Sequence, residues 1–130
     1  MKYIELTEDL RLGHPVLDAE HEKLVAQVNE CVDIVKASGE REAVEVKLAE
    51  ISKFLCLHIQ HEEAIMSALE YKITDDEKLH HQEGMQSFAS LQSELKNGMA
   101  VVDAVEEIKH LILVTFLRTD MGLKSYLPDI

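Results

Sequence analysis

The sequence FLCLHIQHEEAIM, residues 54–66, decides the fold. It continues an apolar series with steps of four and three residues, the spacing of one helix face. The series runs through Val44, Leu48, Ile51 and Leu55, and its next positions are His58, Glu62 and Ile65. Because His58 and Glu62 at i, i+4 point the same way, both should be buried. Burying an unpaired carboxylate costs several kcal/mol, so a metal ion is the partner we expect.

The rest of the chain has the same helical periodicity. We expect one domain over residues 1–130, with an irregular arm over residues 1–17. The expected helices cover about residues 18–37, 41–69, 75–96 and 101–123. Turn signals at Gly39, Thr74 and Gly98 separate them. Long helices with short connections predict an all-α, antiparallel up-down-up-down four-helix bundle.

Composition and charge restrict the function and the location. The net charge of −12 argues against nucleic acid and anionic membranes as partners. No N-terminal stretch combines basic residues with an apolar run, so we expect no signal peptide and a cytoplasmic location. The longest apolar run, residues 111–117, is too short to span a bilayer. Cys31 and Cys56 lack CxxC spacing and are expected to be reduced and buried.

Polar residues occupy core positions on all four helices: His21, His58, Glu62, Glu77, His81, Thr115 and Asp120. A lone histidine on an apolar face is usually a satisfied core residue. A cluster of such residues from four helices is different. Without a metal ion, it would leave buried acids unpaired or protonated. Mixed histidine and carboxylate ligands suit iron, manganese or zinc better than calcium. Bundle cores that hold two irons are built in this way.

Three segments match motifs of one known family. They are LTEDLRLGHPVLDAEH at residues 6–21, HIQHEEAIM at residues 58–66, and Thr119-Asp120. The second segment is similar to H-F-x-x-E-E-x-x-M, and together the three resemble the bacterial hemerythrins over nearly the whole chain. The resemblance implies a four-helix bundle with a non-haem di-iron centre that binds O₂. One iron of that centre carries two histidines and the other three, with a glutamate and an aspartate bridging them.

The resemblance also implies a ligand set. His21 and His58 match the two-histidine iron, and Glu62 and Asp120 match the bridges. The third-helix motif H-x-x-x-H falls on Glu77 and His81, so its first histidine has become glutamate. The implied metal ligands are His21, His58, Glu62, Glu77, His81 and Asp120.

The second iron is where the sequence departs from the family. A four-residue insertion would move the third-helix motif to His81 and Met85. Glu77 has another explanation too, because residues 74–77 read Thr-Asp-Asp-Glu and fit a capping box. The fourth-helix motif H-I-x-x-x-D reads TFLRTD at residues 115–120, so Thr115 replaces a histidine.

Two functional classes follow from the resemblance. We favour a binding protein that takes up O₂ or a related small ligand at two irons, for storage, delivery or sensing. The alternative is an enzyme that activates O₂ or peroxide, because Glu77 and Thr115 would make the second iron more anionic and more open. A single-metal sensor held by His21, His58 and the carboxylates is a third possibility. A sensing role would require a separate signalling partner.

Overall fold

The computed structural model describes residues 1–70, 75–117 and 120–121, without the side chain of Thr115. The helices are α1 (Pro15–Ala37), α2 (Arg41–Ala68), α3 (Asp75–Lys96) and α4 (Val101–His110). The chain continues from α4 into a π-helical segment, Leu111–Leu117. No strand occurs in these ranges, so the all-α prediction is confirmed. None of the helices described is long and apolar enough to cross a membrane.

The four helices form the predicted antiparallel bundle. Each helix packs against the next one in the chain, and α4 packs back against α1, which closes the ring. Gly39 and Gly98 follow α1 and α3 with φ of 65° and 109°. This left-handed backbone is strained for other residues, and it turns the chain back within a few residues. The predicted turn at Thr74 lies outside the described residues.

Helix α1 begins three residues before the predicted Asp18. Pro15 occupies the first helical position, where its fixed φ suits a helix and its missing N–H is not needed. The backbone N–H of Leu17 donates to Nδ1 of His14 at 3.4 Å, so His14 caps the helix. Residues 15–17, which the sequence predicted to belong to the irregular arm, therefore form the first turn of this helix.

The irregular arm is fixed against α1 by hydrogen bonds. The Asn29 amide pairs with both backbone groups of Ile4, at 2.8 Å to the N–H and 3.0 Å to the carbonyl. The Asp18 carboxylate accepts from the N–H groups of Leu12 and Gly13 at 2.7 and 2.9 Å. Ile4 and Leu12 are buried as a result. The arm is thus part of the packed domain.

The bundle core consists of two apolar clusters with a polar layer between them. The larger cluster includes Leu24 of α1 and Leu55 of α2. The smaller cluster is formed by Leu12, Leu17 and Met66. Along α1, His21 lies between Leu17 and Leu24; along α2, His58 and Glu62 lie between Leu55 and Met66. Because α1 and α2 are antiparallel, these polar residues meet at one level of the bundle.

Two predicted burials need correction. Ile65 is only partly buried, and Met66 takes the core position, because the step after Glu62 is again four residues. Cys56 is exposed. It follows Leu55 directly and points about 100° away from the core face. Cys31 is buried as predicted, and both cysteines are free.

Candidate metal centre

Four buried side chains converge in the polar layer. They are His21 of α1, His58 and Glu62 of α2, and Asp120 beyond the π-helical segment. Each offers one donor atom, and the four atoms lie within 4.8 Å of one another. None of the four residues is more than 3% exposed. The structure therefore places together four of the six ligands predicted from the sequence.

The donor atoms of this cluster are close-packed. Nε2 of His21 lies 3.1 Å from Nε2 of His58. Oδ2 of Asp120 lies 2.9 Å from the first nitrogen and 3.2 Å from the second. Oε2 of Glu62 lies 3.5 Å from Nε2 of His58. Two nitrogens and two oxygens thus face one common point.

These separations fit the coordination shell of a metal ion. Ligand atoms bound at about 2.1 Å lie about 3.0 Å apart at an octahedral ion and about 3.4 Å apart at a tetrahedral one. The four separations described above run from 2.9 to 3.5 Å, and all four donor atoms lie within 4.8 Å of one another. In addition, the buried Oε2 of Glu62 has no hydrogen-bond partner within the part of the chain that the structure describes. The residues present therefore fit a metal ion with mixed nitrogen and oxygen ligation.

Burial and mutual contact perturb the titration of the cluster. Burial raises the pKa of Glu62 to about 8, although the neighbouring His58, 3.5 Å from Oε2, opposes this change. Burial disfavours the charged form of His58, but the hydrogen bond to Asp120 and the nearby carboxylate of Glu62 outweigh it and raise the pKa of His58 to about 10. Burial also opposes ionisation of Asp120, yet hydrogen bonds to His21 and His58 hold the pKa of Asp120 well below its usual range. Protons thus supply the positive charge that a metal ion would supply.

The two carboxylate oxygens of Glu62 face different histidines. Oε2 faces His58, and Oε1 lies 3.6 Å from Nε2 of His81. His81 is buried at 8% exposure and reaches the layer from α3. Its other nitrogen, Nδ1, lies 3.7 Å from Oε1 of Glu63. A carboxylate shared in this way has the orientation needed to bridge two ions.

The remaining predicted ligand, Glu77, lies in the first turn of α3 and is partly exposed. The four-residue cluster found among the described residues does not extend to it. Thr74, its partner in the alternative capping box, and the side chain of Thr115 lie outside the described residues. Metal binding by Glu77 stays a prediction.

A π-helical segment, which the sequence analysis did not predict, precedes Asp120 in the chain. Buried side chains recur five residues apart within it, as Leu111 with Phe116 and Ile112 with Leu117. This is the spacing of i→i+5 hydrogen bonding, which is rare and is often found at functional sites. A continuous α-helix would return to the core after three or four residues. The segment thus departs from α-helical spacing over residues 111–117, shortly before Asp120.

Sequence reasoning missed Glu20 of α1. Its Oε1 lies 3.0 Å from Nδ1 of His58, and its Oε2 lies 2.6 Å from Nδ1 of His61. One signal was present in the sequence. His58 and His61 are three residues apart and lie on the same side of α2, and Glu20 directly precedes His21. Only the packing of α1 against α2 shows that these residues meet.

The fold and the cluster define a class of protein: an all-α bundle with a buried histidine–carboxylate site suited to a metal cation. A family model described as the hemerythrin HHE cation binding domain matches residues 12–124. The chain belongs to this hemerythrin family, and the resemblance seen in the sequence is confirmed. The family description names cation binding without naming a metal or a gas. Searches of curated proteins and of solved structures gave no match.

Proposed function

We propose that the protein holds two iron ions in its polar layer and binds O₂ or a related small ligand there. His21 and His58 would hold one ion, and His81 with Glu77 the other. Glu62 and Asp120 would bridge them. The observation that carries the proposal is the orientation of Glu62, whose two oxygens face histidines on two different helices.

The donor set and its surroundings support iron and a small apolar ligand. Imidazole with carboxylate ligation suits iron, which would supply the redox chemistry that O₂ binding requires. The chain supplies an environment of low polarity, because apolar clusters lie on both sides of the polar layer. Such surroundings exclude water and admit an apolar gas more readily than an ion. We infer a role in storage, delivery or sensing, and for sensing we propose a separate signalling partner.

The second candidate function is an enzyme that activates O₂ or peroxide. The observation that favours it is the composition of the second half of the site, where His81 would share its ion with Glu62 and Glu77. More oxygen ligation stabilises ferric iron, and reversible O₂ binding needs ready return to the ferrous state. A single-metal protein is the third candidate, favoured by the compactness of the four-residue cluster.

Iron stoichiometry and the reversibility of O₂ binding test the proposal. The protein is purified without added metal, its metal content is measured, and the metal-free form is titrated with Fe²⁺ under anaerobic conditions. We expect two irons per chain and an absorption change with O₂ that reverses when O₂ is removed. Two irons with irreversible oxidation would identify the enzyme candidate, and one iron the single-metal candidate.

A matched pair of variants connects the result to the site. Glu62→Gln should lose iron, because an amide is a poor bridging ligand. Glu22→Gln should keep it, because Glu22 is 53% exposed, pairs with Arg11 and does not belong to the four-residue cluster. No iron bound by the wild-type protein, or equal iron in both variants, would overturn the proposal.

A further inference from the structure

The partly buried carboxylate of Glu20, 12% exposed, connects the metal centre to the protein surface. It lies between His58, which is 1% exposed, and His61, whose side chain is 45% exposed. We propose that Glu20 and His61 form a positioning pair that fixes the imidazole ring of His58 for metal binding. This inference rests on the proposed function, because it concerns one ligand of the same site.

The first step is the contact between Glu20 and His58. With Nδ1 of His58 donating its hydrogen to Oε1 of Glu20 at 3.0 Å, the lone pair of Nε2 is left on the side of the ring that faces the cluster. Nε2 is the atom that lies 3.1 Å from His21 and 3.2 Å from Asp120. A carboxylate behind a ligating histidine fixes its tautomer and ring orientation and increases its basicity. Glu20 has the position for this role.

The second step is the contact between Glu20 and His61. Oε2 of Glu20 lies 2.6 Å from Nδ1 of His61. His58 and His61 are neighbours on one side of α2, so α2 contacts both oxygens of a carboxylate that belongs to α1. With both oxygens engaged, Glu20 cannot rotate away from His58 without losing the contact with His61. His61 thus acts through Glu20 and does not itself reach the metal centre.

The other two histidines of the centre lack this arrangement. Nδ1 of His21 and Nδ1 of His81 are buried and have no hydrogen-bond partner among the described residues. Oε1 of Glu63 lies 3.7 Å from Nδ1 of His81, which is too far for a hydrogen bond. His58 is therefore the histidine of the three that the protein orients before a metal binds. Loss of Glu20 should consequently weaken binding at the His21–His58 position.

Titration of the metal-free protein with Co²⁺ tests the pair. Glu20→Ala should weaken Co²⁺ binding about 10- to 100-fold, the usual effect of losing such a partner. Glu20→Gln keeps an oxygen that can accept from Nδ1 and should retain most of the affinity. Glu22→Ala is the matched control, because Glu22 lies on the same helix, pairs with Arg11 at 2.8 Å and carries the same charge. It should bind Co²⁺ as the wild type does.

A spectroscopic signature separates positioning from a structural effect. In the Co²⁺-loaded protein, the hydrogen on Nδ1 of His58 gives a paramagnetically shifted NMR signal. Its exchange with water should be slow in the wild type and in Glu20→Gln. It should be fast in Glu20→Ala and intermediate in His61→Ala. His61→Ala changes an exposed side chain and keeps the test available if Glu20→Ala does not fold.

The outcomes distinguish this inference from the proposed function. Wild-type protein that binds no Co²⁺ would overturn both. A wild type that binds, with Glu20→Ala indistinguishable from Glu22→Ala, would overturn the positioning pair alone. Equal losses in Glu20→Gln and Glu20→Ala would assign the effect to charge and would also overturn it. If the hydrogen on Nδ1 of His58 exchanges with water at the wild-type rate in His61→Ala, then His61 does not help to position Glu20.

Discussion

Replacing Glu62 by methionine should stabilise the metal-free protein while abolishing metal binding. Glu62 continues the apolar series of α2, between Leu55 and the buried Met66. Its side chain is 2% exposed, and methionine has a similar length and no polar atom. The substitution therefore places an apolar side chain at position 62, on the buried face of α2 that the polar Glu62 now interrupts.

The magnitude follows from the contacts of Glu62. Its buried Oε2 has no hydrogen-bond partner among the described residues, and an unsatisfied buried group costs about 1–3 kcal/mol. His58 loses one neighbour but keeps Asp120 and Glu20, at 3.2 and 3.0 Å. Replacing a whole buried ion pair by well-packed apolar side chains is often neutral or stabilising by about 1–4 kcal/mol. Removing Glu62 alone should behave similarly, because Asp120 and Glu20 still compensate the charge of His58. We expect a gain of about 2 kcal/mol, or about 6–10 °C in Tm for a chain of this size.

Thermal and urea unfolding in the presence of a chelator measure this gain. Glu63→Met is the matched control: Glu63 is the next residue and is 40% exposed, so its substitution should change stability by less than about 0.5 kcal/mol. Added Fe²⁺ under anaerobic conditions should raise the Tm of the wild type and of Glu63→Met, and leave that of Glu62→Met unchanged. A metal-free Glu62→Met protein less stable than the wild type would refute the reasoning. It would show that the carboxylate is satisfied within the fold.

Three further predictions concern the second ion, pH and the thiols. Glu77→Ala should remove about one metal equivalent and spare the other; unchanged metal content with a loss of about 1 kcal/mol would show a helix cap instead. The folded-state pKa values of His58 and Glu62 are raised to about 10 and about 8, so their contribution to stability is present at low pH and is lost as pH rises through these values. The urea concentration at the unfolding midpoint of the metal-free protein should therefore decrease as pH rises from 6 to 9, and should decrease less with metal bound. An increase over this range would contradict the raised pKa values of His58 and Glu62. A thiol reagent should label the exposed Cys56 quickly and Cys31 only on unfolding, because burial raises the pKa of Cys31 to about 12; equal rates in the native protein would count against the packing around Cys31.

The fold class and half of the metal centre could be predicted from periodicity alone. Periodicity is a local property: the backbone of one helix determines which of its side chains share a face. His58 and Glu62 interrupt an apolar series on one helix, and His21 interrupts another. For these three residues the sequence was sufficient to predict burial at the polar layer.

The position of Asp120 could not be derived from spacing within a helix. It lies 99 residues from His21 in the chain, and the π-helical segment before it changes the periodicity on which such a derivation depends. Its inclusion in the predicted ligand set came from the family motif. The structure supplies the contact itself, at 2.9 Å from His21.

The sequence by itself determined that four amphipathic helices would bury histidines and carboxylates together. Only the tertiary structure decided which donor atoms meet, that Glu62 faces histidines of two helices, and that Glu20 lies behind His58. The physical reason is that hydrophobic patterning specifies the buried face of each helix to within about one residue, or 100° of rotation. Coordination requires donor atoms to be placed within a few tenths of an ångström. That precision comes from how the helices pack against one another, which no single-helix pattern contains.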